Sequence, residues 1–302
     1  MAFINDLRTR YNQGSMLMRF IYINIAVFVL LHVFTLIAVL FNVNADWVLR
    51  LVEVPSRPID LLHRPWTAIT YMFSHYELLH ILFNMLWLYW LGRIFLEYFM
   101  PRQLGGLYVL GGLGGALLFV LAYALLPYFQ SQQGVMLGAS ASVIAIVVAV
   151  AVYAPDYKIG LLFIGDISLK WVAIITVGID LLSIDTGNAG GHIAHLGGAL
   201  VGALWALNIK RGHDFTAPIN RCIDWFVGLF RHNDRPGVGA PVGGKAFHKT
   251  QSHQRTQDSR QQSSKPGNEA ELDRILGKIK QSGYTALTDE EKDFLFNASR
   301  KR

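Results

Sequence analysis

Six stretches of this chain, about residues 18–41, 77–99, 104–127, 137–154, 166–184 and 190–208, are apolar over close to the length an α-helix needs to cross a bilayer. A hydrocarbon core about 30 Å thick takes roughly 20 residues of helix, and lipid offers no partner for backbone N–H or C=O groups, so segments of this kind are helical. The sequence therefore predicts an all-α, polytopic membrane protein with six transmembrane helices and a short helical C-terminal tail. Composition agrees: 16% of the 302 residues are charged, against roughly 25% in soluble domains. The first fifteen residues are polar, and the apolar run after them is too long for the core of a cleaved signal peptide. The net charge of +6 gathers in the tail and in short loops without the interleaved aromatics of a nucleic-acid surface, so it reads as membrane topology. Cys222 is the single cysteine, which excludes an internal disulfide.

Basic residues in short loops set the orientation. Arg8, Arg10 and Arg19 precede the first span, Arg93 and Arg102 surround the turn after the second, Lys158 and Lys170 follow the fourth, and Lys210 and Arg211 follow the sixth. The turns at 128–136 and 185–189 have neither Lys nor Arg. Both termini are thus expected on the cytoplasmic side, and the short N-terminus without organelle-targeting character points to a bacterial plasma membrane. In that orientation spans two, four and six run in the same direction, which brings His80, Ser140 and His195 to one depth near the outer face.

Polar side chains in a span are costly in lipid and mark a protein interior or a water-filled cavity. Ser140 follows Gly138 and Ala139 at a helix start, where free N–H groups can stabilise an oxyanion; a capping serine in a packing face is the plainer alternative. Ser142 is a second hydroxyl that projects from a different part of the helix. His195 sits one turn before Gly198 and Gly202, whose Gly-x-x-x-Gly spacing allows close helix contact, so an imidazole held against span four would reach Ser140. His80 and Asn84 share a helix face and can donate hydrogen bonds to a tetrahedral intermediate. Either the histidine or the polar pair could instead be satisfied by neighbouring helices.

Taken together, His80-Ile81-Leu82-Phe83-Asn84, Gly138-Ala139-Ser140 and Ala194-His195-Leu196-Gly197-Gly198 with Gly202 resemble the signature of the rhomboid intramembrane serine proteases. The resemblance covers about residues 17–208. It implies a Ser–His dyad without a third carboxylate, with Ser140 as nucleophile and His195 as general base. It also implies an oxyanion site of His80, Asn84 and the Ser140 backbone N–H, no metal or cofactor, and transmembrane proteins as substrates. Three positions depart from the family pattern: Ala141 where glycine is usual, Ile144 where an aromatic residue often supports the imidazole, and Arg64-Pro65-Trp66 in place of a Trp-Arg pair in the first loop. A catalytically silent rhomboid-like protein that binds membrane-protein clients is the alternative from another class. A transporter is disfavoured, because the polar residues gather near one face.

The remaining polar residues receive lesser roles. His192 and His195 with His75 and His80 would draw a zinc site, but neither a cysteine nor a carboxylate with ligand spacing accompanies them. His75 resembles the family's structural histidine of the first loop, His32 reads as a core or interfacial residue, and Asp180 and Asp185 as marks of an interface. The glycines of span three, Gly105, Gly106, Gly111, Gly112, Gly114 and Gly115, read as packing positions. Residues 1–16 form a cytoplasmic N-terminus and 17–208 the membrane domain. An amphipathic helix on the membrane surface follows over 209–231, then a disordered linker over 232–268. A small helical hairpin over 269–302 opens its second helix with a capping box at Thr288; it is marginal alone at that size and is expected to dock on a partner or on the membrane domain.

Overall fold

The computed structural model describes residues 15–161, 165–185 and 187–230 and, near the C-terminus, 274–275, 288, 290–291 and 294. The chain divides into two units, residues 1–234 and 235–302. In chain order the first unit contains α1 (Met16–Leu40), α2 (Asp46–Arg50), β1 (Val54–Pro55), α3 (Pro58–His63), α4 (Thr67–Thr70), α5 (Leu78–Tyr98), α6 (Pro101–Leu125) and β2 (Val135–Met136). It continues with α7 (Ser140–Tyr153), β3 (Lys158–Leu161), β4 (Gly165–Ser168), α8 (Leu169–Leu182), α9 (Ala189–Ile209) and α10 (Ala217–Phe230).

Among the described residues, four helices (α1, α5, α6 and α9) are long and apolar enough to cross a membrane. This is fewer than the six expected spans. Helices α7 and α8 each have 14 residues, about 21 Å at the α-helical rise. The apolar run over 137–154 starts in irregular backbone and turns helical only at Ser140, and the run over 166–184 opens in the β3–β4 hairpin. Helix α6 starts three residues before the apolar run, because Pro101 suits a first helical turn whose N–H groups lack intrahelical partners anyway.

The two short helices live in different surroundings. From Ala141 to Ala151 every residue of α7 is buried, so it is enclosed by protein and does not have to match the bilayer thickness. Small residues make that enclosure possible. A Cβ on Gly198 would fall on the Ala141 carbonyl and one on Gly202 on the Ala145 carbonyl. Gly111 and Gly115 of α6 press against Ala145 and Ala141, while Gly197 of α9 meets Gly114 of α6. Helices α6, α7 and α9 thus touch backbone to backbone, as small-residue seams in membranes allow. Beyond α7, Lys210 Nζ donates to the Val152 carbonyl at 2.7 Å, a cation against a helix C-terminus.

The connection between α1 and α5 is folded into the molecule, so its backbone needs partners from protein. The Tyr71 hydroxyl donates to the Gly112 carbonyl and the Tyr108 hydroxyl to the Met72 carbonyl, both at 2.6 Å. Buried Asn24 of α1 donates to the Tyr108 oxygen at 3.1 Å. Arg64 Nη1 reaches the Arg50 carbonyl at 2.6 Å and Trp66 Nε1 the Leu51 carbonyl at 3.0 Å. Arg64-Pro65-Trp66 therefore braces this loop, despite its departure from the expected pair. The loop in turn holds the strand before Ser140: β1 pairs antiparallel with β2, and the Gly138 N–H donates to the Tyr71 carbonyl at 3.0 Å.

His75 completes this brace. Its Nε2 accepts the Ala139 N–H at 3.2 Å, and the residue is 1% exposed. Burial, and secondarily the neighbouring His80, lowers its pKa from 6.5 to about 3. The neutral ring is the form that can accept this bond.

After α9 the chain turns at Asp214, whose Oδ1 accepts from Trp205 Nε1 at 3.0 Å and whose Oδ2 accepts from Gln103 Nε2 at 2.9 Å. Helix α10 begins at Ala217, later than the expected 209, and its Asp224 pairs with Arg102 of α6 at 2.8 Å. In the second unit, the Thr288 N–H donates to Glu291 Oε2 at 2.9 Å and the Glu291 N–H to Thr288 Oγ1 at 3.4 Å, the reciprocal pair of a capping box. Glu291 also pairs with Arg274 at 2.9 Å. The expected linker over 232–268 and most of the expected hairpin lie outside the described residues, as does nearly all of the N-terminal segment.

Two outcomes follow from this packing. Gly198→Ala forces a methyl onto the Ala141 carbonyl and should destabilise the full chain in detergent by about 1–3 kcal/mol, read as a lower thermal midpoint. At His75 the unfolded chain takes up a proton near pH 6.5 and the folded chain only near 3, so native stability falls as pH drops below about 6.5. His75→Gln keeps an acceptor near the Nε2 position without titrating, and should flatten the decline of the midpoint between pH 7 and pH 5.

Candidate active site

Ser140 is the first residue of α7, and the backbone leading to it is fixed at consecutive positions. Gly138 has φ +126°, a conformation that L side chains rarely adopt, and a Cβ there would lie 2.7 Å from the His80 ring. Glycine is therefore required twice, by torsion and by the close approach of His80. The Ala139 N–H is held by His75, and the Val143 N–H bonds back to the Ala139 carbonyl at 2.9 Å. The Ser140 side chain is left facing a cavity.

Across that cavity stands His195, in the second turn of α9. Its Nε2 lies 2.6 Å from Ser140 Oγ, and its Nδ1 lies 2.7 Å from Asp180 Oδ1 of α8. His192, one turn earlier on α9, places its own Nδ1 2.8 Å from the same carboxylate oxygen. An ionised carboxylate accepts only, so both Nδ1 atoms carry hydrogens and His195 Nε2 is the acceptor for the Ser140 hydroxyl. The result is a hydroxyl polarised by a base whose far side is oriented by an anion.

Asp180, read from the sequence as the mark of an interface, does join α8 to α9, and it does so at His195, a contact the sequence reading did not foresee. Asp180 is 5% exposed. It was detectable as the single carboxylate of helix α8, and an ionisable residue in an apolar segment by default suggests function; its partners lie on another helix, and spacing along one chain does not show that. Asp185, read with it as an interface mark, is not part of this cluster. The ligand atoms of Asp180, His192 and His195 do lie within 4.8 Å of one another. A metal ion there would have to displace both Nδ1 hydrogens from the bonds they make to Oδ1.

His80 and Asn84, one turn apart on α5, line the same cavity of about 320 Å³, with Trp87, Ile144 and Thr176 also on its wall. Asn84 Nδ2 donates to the His80 carbonyl at 2.9 Å. Ile144 thus stands at the cavity wall, where it can support the imidazole without an aromatic ring. A second cavity of about 860 Å³ opens on the loop side between Glu53, Tyr76, Glu77 and Asn188, and it too reaches His80, Ser140 and His195. Ser142 is fully buried, and its hydroxyl makes no hydrogen bond. It borders neither cavity, which removes it as a competing nucleophile.

Residues 62–211 match the Rhomboid domain family, a stretch that contains every cavity residue named above except Glu53, and residues 255–301 match a family of unknown function. The chain is 33% identical over 157 residues to RHOMBOID-like protein 12, mitochondrial, of Arabidopsis thaliana, covering 48% of this chain and 47% of that protein. It is 29% identical over 178 residues to Presenilin-associated rhomboid-like protein A, mitochondrial, of Danio rerio, covering 57% of this chain and 44% of that protein. The chain thus spans about half the length of the curated relatives it matches. Both relatives are mitochondrial by name, which overturns the expectation of a bacterial plasma membrane. An address of that kind is read by receptors, and the physics of the membrane domain carries no trace of it. The domain match enclosing the Ser140–His195 pair, with two relatives that carry the same family name, makes this chain a member of the rhomboid family.

Proposed function

We propose that this protein is an intramembrane serine endopeptidase that cleaves transmembrane or juxtamembrane segments of other membrane proteins. The observation that supports this reading most directly is the 2.6 Å contact between Ser140 Oγ and His195 Nε2, made in a cavity walled largely by apolar side chains. His195 takes the hydroxyl proton as Ser140 Oγ attacks the substrate carbonyl. The oxyanion forms beside His80, Asn84 and the Ser140 N–H, which stabilise negative charge in a water-poor site. Collapse of the tetrahedral intermediate breaks the C–N bond, and His195 returns the proton to the leaving amine. Water then hydrolyses the acyl-enzyme, with His195 again as base. No cofactor enters these steps.

A segment cut in this way has to leave its helix first, since the scissile carbonyl is otherwise occupied by its own hydrogen bond. The cavity facing the loops gives such an extended segment a place beside β2 and the Ser140 turn. The helices α1, α5, α6, α7, α8 and α9 form the six-helix membrane domain in this reading, with α7 reaching its neighbours through protein and not through lipid. The relatives' names favour a mitochondrial membrane, and integral membrane proteins are the partners this site suits. Helix α10 lines neither cavity and takes no part in these steps.

The test is cleavage of a helix-destabilised transmembrane substrate by the full chain in detergent, with a fluorophosphonate probe of serine reactivity in parallel. Wild type should cleave and be labelled. Ser140→Ala should lose labelling and essentially all cleavage, and His195→Ala should lower the rate by at least about 10³-fold. Cleavage that survives in Ser140→Ala would sink the assignment. Absence of both cleavage and labelling in wild type would instead favour a protein that binds clients without cutting them.

A further inference from the structure

We propose that Asp180 and His192 are positioning residues of the Ser140–His195 pair, so that the site operates as a Ser–His–Asp triad with a second imidazole sharing the carboxylate. This deepens the protease reading and rests on it. The geometry is specific. Asp180 comes from α8, whereas His192 and His195 come from α9, and both Nδ1 atoms converge on the one oxygen Oδ1 at 2.8 and 2.7 Å. The carboxylate is 5% exposed, and its described ion pairs are with these two histidines alone, without a lysine or arginine. A buried carboxylate with that partner set is costly unless both donors are present.

The consequence for His195 is twofold. An Nδ1–H held by Asp180 leaves Nε2 bare to accept the Ser140 proton, and an anion behind the ring favours the imidazolium that forms when it does so. His192 works against the second effect. It draws on the same lone pairs, and a positive charge on it would oppose one on His195. The other titratable or charged groups facing His195 are His80 from α5 and, across the loop-side cavity, Glu53, Glu77, Tyr71 and Tyr76. Helix α6 meets this stretch of α9 through Gly114 and Gly115 and brings no charge to it. The simplest competing account is that Asp180 staples α8 to α9 and does nothing for the reaction.

The two accounts separate in the pH dependence of cleavage by the full chain, measured from pH 5 to 9 with and without a chelator. Asp180→Asn should lower kcat by up to about 10⁴-fold with KM within about twofold, and the acidic limb of kcat/KM should move to lower pH by about one unit. Asp180→Glu should restore part of kcat. His192→Ala should move the acidic limb the other way, to higher pH, because His195 then has the carboxylate to itself. A limb that stays at its wild-type position in both variants, or that moves the same way in both, overturns the proposal. So does a chelator alone reproducing the Asp180→Asn profile, since a bridging metal would then hold the three residues. If Asp180→Asn fails to fold, the limb in His192→Ala decides, and an unmoved limb counts against it. Fluorophosphonate labelling of wild-type Ser140 keeps the outcomes apart: labelled protein with unshifted variants leaves a working dyad, whereas wild type that neither labels nor cleaves removes the protease reading and this one together.

Discussion

The contact of Gly198 and Gly202 with the carbonyls of Ala141 and Ala145 fixes where Ser140 stands relative to His195. Two helices this close leave no room for side chains between them, so the phase of α9 against α7 is set by backbone and cannot drift through rotamer changes. His195, one turn before Gly198 on the same helix, is then carried to Ser140 at the start of α7. The glycines of α6 close the remaining side of α7, and full burial follows. A buried helix is free of the bilayer-length rule, which is why α7 can be short and can begin at the depth of the cavity.

A helix that begins inside the membrane domain brings non-helical backbone in with it, and that backbone has to be satisfied by protein. The α1–α5 connection supplies this through side chains spread widely along the chain: Tyr71 to α6, Tyr108 back to Met72, His75 to Ala139 and the β1–β2 pair beneath them. The loop therefore belongs to the scaffold of the site. The Tyr71 carbonyl and His75 hold the Gly138 and Ala139 N–H groups directly, and through them the direction of the Ser140 hydroxyl and N–H.

Most of the architecture could be read before the structure. The apolar runs located every long helix among the described residues, with errors of a few residues at the ends, and the Gly-x-x-x-Gly spacing marked the seam that proves central. His80, Asn84, Ser140 and His195, chosen from three separate motifs, line one cavity. What sequence periodicity could not resolve was length and partnership. Apolar character is the same whether a residue faces lipid or protein, so the runs over 137–154 and 166–184 looked like full spans although each holds a helix of 14 residues. Arg64 and Trp66 looked out of pattern, yet their side chains reach backbone carbonyls some fourteen residues away.

The sequence by itself determined the class of protein, because a bilayer admits few solutions for long apolar segments and because glycine at fixed helical spacing has few uses other than close contact. It also singled out Ser140 and His195 as a hydroxyl and an imidazole expected at one depth, with Ser142 still a competitor. Only the tertiary structure decided that Asp180 stands behind His195, that His192 shares its oxygen, and that Ser142 is shut away from both cavities. Those facts depend on the rotation of α7, α8 and α9 about their own axes. That rotation is set by packing between residues far apart in the chain, so no local pattern records it.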